Sequence, residues 1–320
     1  MRKRSRDNCE EPAATASNDD RLGSLPDDAL LHVLSLLPSE DAVRTCVLAR
    51  RWRHLWRFTA ALRIARDDGK RWSVRWLHRF VTNFLRLRDS LSPLDVCDIF
   101  CCPFVLYRGG HAAQAFCFKV AEEWVRRVVS EHRARVLKVW IYTPENMLEP
   151  ADAPLVSKHL TRVELGQVEL PSGILDLSGC RALEHLELIS CRIESERILL
   201  PSVKHLTITN SSFCIIPCSS ISAPSLVSLQ LSDNWGFTPV LESMPSLAKA
   251  FVRFDDECCE KCPRNYYGDC GLGDCDGCYG NLCFEDDEDN QCVLLEGLSG
   301  TTNLELIALP EVVCLHFCSF

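Results

Sequence analysis

Two pairs of cysteines, Cys259-x-x-Cys262 and Cys275-x-x-Cys278, stand twelve residues apart in a chain of 320. Four thiolates in that pattern can close tetrahedrally on zinc, with S–metal distances of about 2.3 Å. The gap between the pairs is slightly short for the usual double-pair site, and Cys258, Cys270, Cys283 and Cys292 blur the register. The same stretch sets twelve Asp and Glu against Lys261 and Arg264, so it repels itself, and five glycines between 268 and 280 resist preorganisation. Two readings stand. One is a structural zinc site on Cys259, Cys262, Cys275 and Cys278; the other is a solvated acidic loop with no cofactor, which the charge balance favours.

No catalytic constellation emerges elsewhere. The nine histidines are scattered and pair with no evident nucleophile. Glu285-Asp286-Asp287-Glu288-Asp289 lacks the alternating ligand spacing of a calcium loop, and there is no phosphate-binding glycine loop in a strand–helix setting. The chain therefore reads as a non-catalytic one. A formal charge of −9 argues against general nucleic-acid binding. The longest apolar run, Ile99 to Tyr107, contains Pro103 and is too short to cross a bilayer, so no membrane partner is expected. Met1-Arg2-Lys3-Arg4-Ser5-Arg6 opens no apolar core of a signal peptide. The twenty cysteines are then expected reduced, as buried apolar side chains or metal ligands. The basic start fits a location in the nucleus, the cytoplasm or both.

The elements that must organise these residues begin between Asp20 and Trp56. Leu30, Val33, Leu34 and Leu37 stand at i, i+3, i+4, i+7, one apolar stripe of a helix. Ser24-Leu25-Pro26-Asp27 fits a capping box, Pro38 stops the helix, and Ser39-Glu40-Asp41 supplies a cap and two acids for a second. Leu48, Trp52, Leu55 and Trp56 repeat the stripe among Arg50, Arg51, Arg53 and Arg57, predicting a third helix. Under forty residues cannot bury three such stripes alone, which predicts a surface completed by a partner.

With its Leu25-Pro26-Asp27-Asp28, Leu34-Ser35-Leu36-Leu37-Pro38, Asp41-Ala42-Val43-Arg44-Thr45 and Arg50-to-Trp56 runs, this segment resembles an F-box of the plant form. Ala49 departs from the Ser usual there and leaves the third helix without a cap. The resemblance implies docking on the Skp-type adaptor, and through it a cullin, of an SCF-type ubiquitin ligase. By the same resemblance Leu25, Pro26, Leu30, Leu34, Pro38, Val43, Leu48, Trp52 and Trp56 are the adaptor-binding residues. Two other roles stay open: a non-degradative scaffold on the adaptor, and a zinc-dependent protein-binding module.

Downstream, Phe58 to Ala65 reads as a strand or frayed helix, and Leu91 to Val105 as extended. Trp72, Trp76, Phe80 and Phe84 recur at steps of four, and Phe116, Val120, Trp124 and Val128 mark a second helix over 112–132. From Arg135 another period takes over. Leu160-x-x-Val163-x-Leu165 returns from Leu183, Val203, Leu226 and Leu247, at steps of 23, 20, 23 and 21, the period of leucine-rich repeats. Leu137 to Ile141 reads as an earlier copy, and Leu304-x-x-Ile307-x-Leu309 as the last, 57 residues after Leu247. The repeats lack a consistent Asn at the ladder position.

The expected fold is α/β, a three-helix F-box followed by a leucine-rich-repeat solenoid. Its parts are a disordered tail at 1–20, the F-box at 21–66, connecting helices and a strand at 67–135, repeats at 136–254, the insertion at 255–291 and a final repeat at 292–320. The apolar ending Val312 to Phe317 lacks the polar cap a solenoid needs and leaves a truncated product open. The resemblance implies a substrate receptor whose strands hold a protein target. Its candidate contacts are the outward positions Arg162, Glu164, His185, Glu187, His205, Thr207, Ser228 and Gln230, with Thr161, Lys249 and Arg253 beside them. Metal analysis of the purified chain separates the two readings of the insertion: zinc at one equivalent marks the thiolate site, and zinc near zero in folded protein removes it.

Overall fold

The computed structural model describes residues 24–64, 74–89, 91–101, 110–141, 155–213, 219–236, 239–242, 244–254 and 297–307. Two short helices, α1 (Asp27–Leu36) and α2 (Ser39–Arg44), lead into a long parallel sheet. The first three strands, β1 (Ala61–Ile64), β2 (Val96–Cys101) and β3 (Val136–Ile141), are linked by helices α3 (Val74–Leu87) and α4 (Gly110–Ser130). The step-of-four residues are buried only in part: Trp76 is exposed, Phe80 is half-buried, and Trp72 lies outside the described residues. Phe84 is buried on α3, and Val120, Trp124 and Val128 are buried on α4. After β4 (Arg162–Gly166) the helices give way to a second sheet. Strands β5 (Glu169–Asp176), β7 (Arg192–Leu199), β9 (Ser212–Phe213), β10 (Ser220–Ser222) and β12 (Val240–Leu241) alternate with β6 (His185–Ile189), β8 (His205–Thr209) and β11 (Ser228–Gly236). The first sheet ends with β13 (Lys249–Phe254) and β14 (Asn303–Ile307).

The architecture is the helical segment and parallel-strand solenoid that the repeat spacing predicts. Its sheet, however, begins at Ala61 rather than at 136. The inward residues explain why. Leu62, Cys97, Leu137, Val163, Leu186, Leu206, Leu229 and Ala250 sit opposite one another across neighbouring strands, and all are buried. Two residues on, Ile64, Ile99, Val139, Leu165, Leu188, Ile208, Leu231 and Val252 form the second inner row. Period-two alternation turns the residues between them to the open face.

The last repeat sits three residues from its predicted register. Ala250 lies opposite Leu304 and Val252 opposite Leu306, so Thr301 matches Leu247 and the final step is 54 residues. Backbone bonds agree: Thr301 donates to the Leu298 carbonyl as Leu247 donates to that of Met244. The Leu304-x-x-Ile307 reading failed because both registers place leucines at inward positions. In the true one Leu304 and Ile307 remain exposed.

Four consecutive coils turn their corner at a residue in the left-handed region. Gln167, Ser190, Asn210 and Asp233 have φ of 56°, 54°, 51° and 54°, and their spacing of 23, 20 and 23 is that of the repeats. Asn and Asp tolerate this conformation best, and Gln and Ser pay more for it. The next residue fills the ladder position with Val168, Cys191, Ser211 and Asn234, all buried. Three of them join hands. The Ser211 hydroxyl accepts from the Cys191 amide at 3.0 Å, and Asn234 Oδ1 accepts from the Ser211 amide at 3.0 Å. Asn234 Nδ2 then donates to the Ile208 carbonyl at 3.0 Å. Ser202 and Ser225, of the Pro-Ser pairs that precede strands, staple each coil to the one before through the Cys180 and Pro201 carbonyls.

The helical segment is tied firmly to this array. Arg88 at the end of α3 is buried and donates to the carbonyls of Thr59 at 2.7 Å, Ser92 at 3.1 Å and Pro93 at 3.0 Å. Burial pulls its pKa down to about 10, against the pull of Asp89 and Asp95, which leaves the guanidinium charged at neutral pH. Trp56 packs on Phe84 with ring centroids 5.5 Å apart, and the Asp89 amide donates to the Arg57 carbonyl. Asn234→Ala should cost about 1–3 kcal/mol in urea unfolding, because it leaves the buried Ser211 amide without its partner. Thr207→Ala on the open face should change stability by about 0.5 kcal/mol or less.

Candidate functional site

Two surfaces concern function: the helical segment and the open face of the first sheet. In the helical segment the N-cap of α1 is Pro26, which makes no side-chain cap bond, rather than Ser24 of the predicted capping box. Asp27 and Asp28 serve the first turn instead, where negative charge meets the helix dipole, and Arg51 pairs with Asp27 at 2.5 Å. The helix ends before Pro38, as predicted. Ser39 is not the cap of α2 but its first residue, and its hydroxyl accepts from the Arg63 amide of β1 at 2.9 Å. Nor is there a third α-helix: Thr45–Val47, Arg51–Arg53 and Leu55–Phe58 are three separate 3-10 turns. Ala49, between the first two, provides no side chain to cap a longer one.

A small core of Leu30, Leu34, Ala42, Trp52 and Leu55 closes this segment. Among the nine residues expected at the adaptor, Leu30, Leu34 and Trp52 are therefore turned inward, and Trp56 belongs to the core of the solenoid. Leu25, Pro38 and Val43 are half-buried, and only Pro26 and Leu48 are fully exposed. The apolar stripe marked the face that the chain itself buries. Two stripe residues stay open, Leu48 at 68% exposure and Val33, and beside them Val47 is 83% exposed, with Leu36 and Phe58 also exposed. Five large exposed apolar residues within 26 positions leave this segment with apolar surface that its own chain does not cover.

On the open face the eight expected target contacts fall into two rows. Arg162, His185, His205 and Ser228 lie side by side across four strands, and Lys249 extends the row. Glu164, Glu187, Thr207 and Gln230 form the second. Arg162 pairs with Glu187 at 2.7 Å. The imidazoles of His185 and His205 stack with centroids 4.5 Å apart, and desolvation, with His205 and Arg162 nearby, holds the His185 pKa below its ordinary value. The second row also runs the other way, through Lys138, Asp98 and Arg63, to the foot of α1. Sequence reasoning missed Arg63 and Asp98 because it began the repeats at 136; Lys138 lies in the strand read as an earlier copy but was not named as a contact. The alternation Leu62-x-Ile64, Cys97-x-Ile99 and Leu137-x-Val139 carried the signal.

The four zinc candidates, Cys259, Cys262, Cys275 and Cys278, lie outside the described residues. Among the described residues no group of three or more His, Cys, Asp or Glu is placed to hold a metal. Cys97, Cys180 and Cys191 are buried thiols whose pKa values desolvation raises, to about 11 for Cys191, so they act as apolar side chains at neutral pH. No helix among the described residues is long and apolar enough to cross a membrane.

The model of the F-box domain matches residues 22–58, the helical segment just described. Beyond it the chain is similar to a putative FBD-associated F-box protein of Arabidopsis thaliana, 29% identical over 73% of this chain and 62% of the relative. An F-box/FBD/LRR-repeat protein of the same plant is 26% identical over 76% of this chain and 60% of its own length. The chain carries an F-box match at its start and is similar, over about three quarters of its length, to plant F-box/leucine-rich-repeat proteins. It spans about three-fifths of the length of the curated relatives it matches. An F-box/LRR-repeat protein of Arabidopsis is 43% identical over 63 residues, 20% of this chain and 13% of that protein. No solved structure matches.

At the junction of F-box and repeats, Glu164 is held by Lys138 and by Trp140 Nε1 at 3.1 Å. Burial alone would raise its pKa, but those two bonds and the nearby Arg162 bring it below the ordinary carboxylate value. The folded-state pKa being depressed, the stabilisation is complete above the unfolded value and is lost as pH falls through the folded one. Glu164→Gln should therefore give a shallower fall in stability below about pH 4.5 than the parent chain, read from urea midpoints across pH.

Proposed function

We propose that this chain is the substrate-recognition subunit of an SCF-type cullin–RING ubiquitin ligase. Its F-box docks on a Skp-type adaptor, and its repeats hold a protein target for ubiquitination. The reading is carried by the F-box at residues 22–58, supported by the uncovered apolar side chains of that segment. A subunit of this kind needs no catalytic group of its own. It raises the effective concentration of one reactant beside another, and proximity alone is worth several kcal/mol of barrier. The open sheet face suits the receptor role because parallel strands present side chains at fixed 4.8 Å intervals on a rigid frame. We place the work of the complex in the nucleus, the cytoplasm or both.

Val47 and Leu48 are the adaptor contacts that exposure favours, in place of the buried Trp52 and Leu34. The full chain should co-purify with a Skp-type adaptor. Val47→Asp combined with Leu48→Asp should weaken that association about 30-fold or more, the loss of a central apolar contact, and leave the melting temperature of the free chain unchanged. Wild-type chain that folds but does not retain the adaptor would remove the receptor reading.

A further inference from the structure

Where the F-box meets the first repeats there is a cavity of about 260 Å³. Leu36 and Pro38 close it from the F-box side; Ile64, Phe100 and Trp140 give it apolar walls. Its charged lining is Arg63, Asp98, Lys138 and Glu164, neighbours in one row of the sheet. These four form two ion pairs, Arg63 with Asp98 at 3.4 Å and Lys138 with Glu164. Among the described lining residues the two cations and two anions balance.

Trp140 is set in place with unusual care. Its ring lies over Gly166 of the next strand, so close that a Cβ there would meet the indole carbons at 2.2 Å. Its Nε1 donates to Glu164, and Phe100 lies alongside with ring centroids 6.4 Å apart and a 30° tilt. The opposite wall is equally fixed. Arg63 Nε donates to the Ser35 carbonyl of α1 at 2.9 Å, and the Arg63 amide to the Ser39 hydroxyl of α2. Gly166 thus makes room for the indole, Glu164 sets its rotation, and the F-box supports the far side.

We propose that this cavity is an anchor pocket for one aromatic side chain of the target protein. The proposal rests on the receptor reading above and gives it a point of attachment. At about 260 Å³ the cavity lies at the small end of ligand pockets, which run from about 300 to 1,000 Å³, and suits a single side chain. The lining decides the chemistry. Two tilted rings favour a third ring in edge or offset contact, and the ion pairs at the rim accept a backbone beside it. Aromatic side chains seated in preformed pockets are also the groups that dominate protein–protein binding. Such an anchor would hold the target against the F-box itself rather than farther along the repeats.

The test uses isotope-labelled full-length chain and three probes: N-acetyl-phenylalaninamide, N-acetyl-tryptophanamide and N-acetyl-leucinamide. The Trp140 indole N–H is a direct reporter, assigned by its absence from the Trp140→Leu spectrum. The aromatic amides should shift it saturably in the millimolar range, and leucinamide should bind at least fivefold more weakly. Trp140→Leu keeps the wall apolar but removes the ring and its N–H, so binding to it is read from the backbone amide of Gly166, whose saturable shift by both aromatic probes should be abolished. Gly166→Val, which displaces the ring, should weaken binding at least tenfold. If Trp140→Leu does not fold, Phe100→Leu takes its place and should weaken the aromatic probes at least threefold. No saturable shift, equal response to leucinamide, or aromatic binding that survives the loss of the ring each overturns the pocket. Co-purification of Trp140→Leu with the adaptor separates the two claims: the pocket can fail while the adaptor still binds.

Discussion

Everything on the open face depends on one constraint, the common register of nine parallel strands from Ala61 to Ile307. No coil has enough apolar surface to fold alone, so each is stable only as its two inward side chains find those of its neighbours. A one-residue slip would turn both rows outward. The register therefore also dictates where the polar residues stand. Arg63, Asp98, Lys138, Glu164, Glu187, Thr207 and Gln230 form a line because the leucines and isoleucines behind them do. Functional geometry here is a by-product of core packing.

The regular repeats were easy to read for the same reason. From Leu160 to Val252 the inward residues are nearly all branched aliphatics at a constant spacing, and that period alone located the strands. Before Leu160 the same two-residue alternation exists, but long helices separate the strands and hide the period. After Val252 the interval stretches to 54 residues, and leucines at 304, 306 and 309 fit two registers. Only the backbone pairing chooses between them. The corner residues show what periodicity cannot tell. Gln167, Ser190, Asn210 and Asp233 differ in type, yet all adopt positive φ, because the geometry of the coil demands it at that place.

The F-box shows the opposite case. Recognition of the segment was direct, but the roles of its residues were not. Leu30, Leu34, Trp52 and Trp56 lie on the apolar stripes, and a stripe records burial without recording by whom. Here the chain buries them itself: three in the small helical core, and Trp56 against Phe84 from a helix that sequence reasoning assigned to another domain. Leu48 was legible, since it opens the third stripe and stands among the expected adaptor residues; its neighbour Val47 follows no periodic rule and gave no signal. The pocket residues Arg63, Asp98 and Trp140 were hidden for a similar reason, since they come from three strands brought together only by the sheet.

The buried guanidinium of Arg88 has a mechanical meaning. A charge that holds three carbonyls away from water cannot slide to a second position without exposing all of them, so Arg88 opposes movement at the shoulder between F-box and repeats. In the assembly proposed above, this chain would act as a stiff bracket. Which lysine of the passenger faces the incoming ubiquitin would then be settled by the passenger's own shape and by the span of the cullin, and not by any bending at this joint.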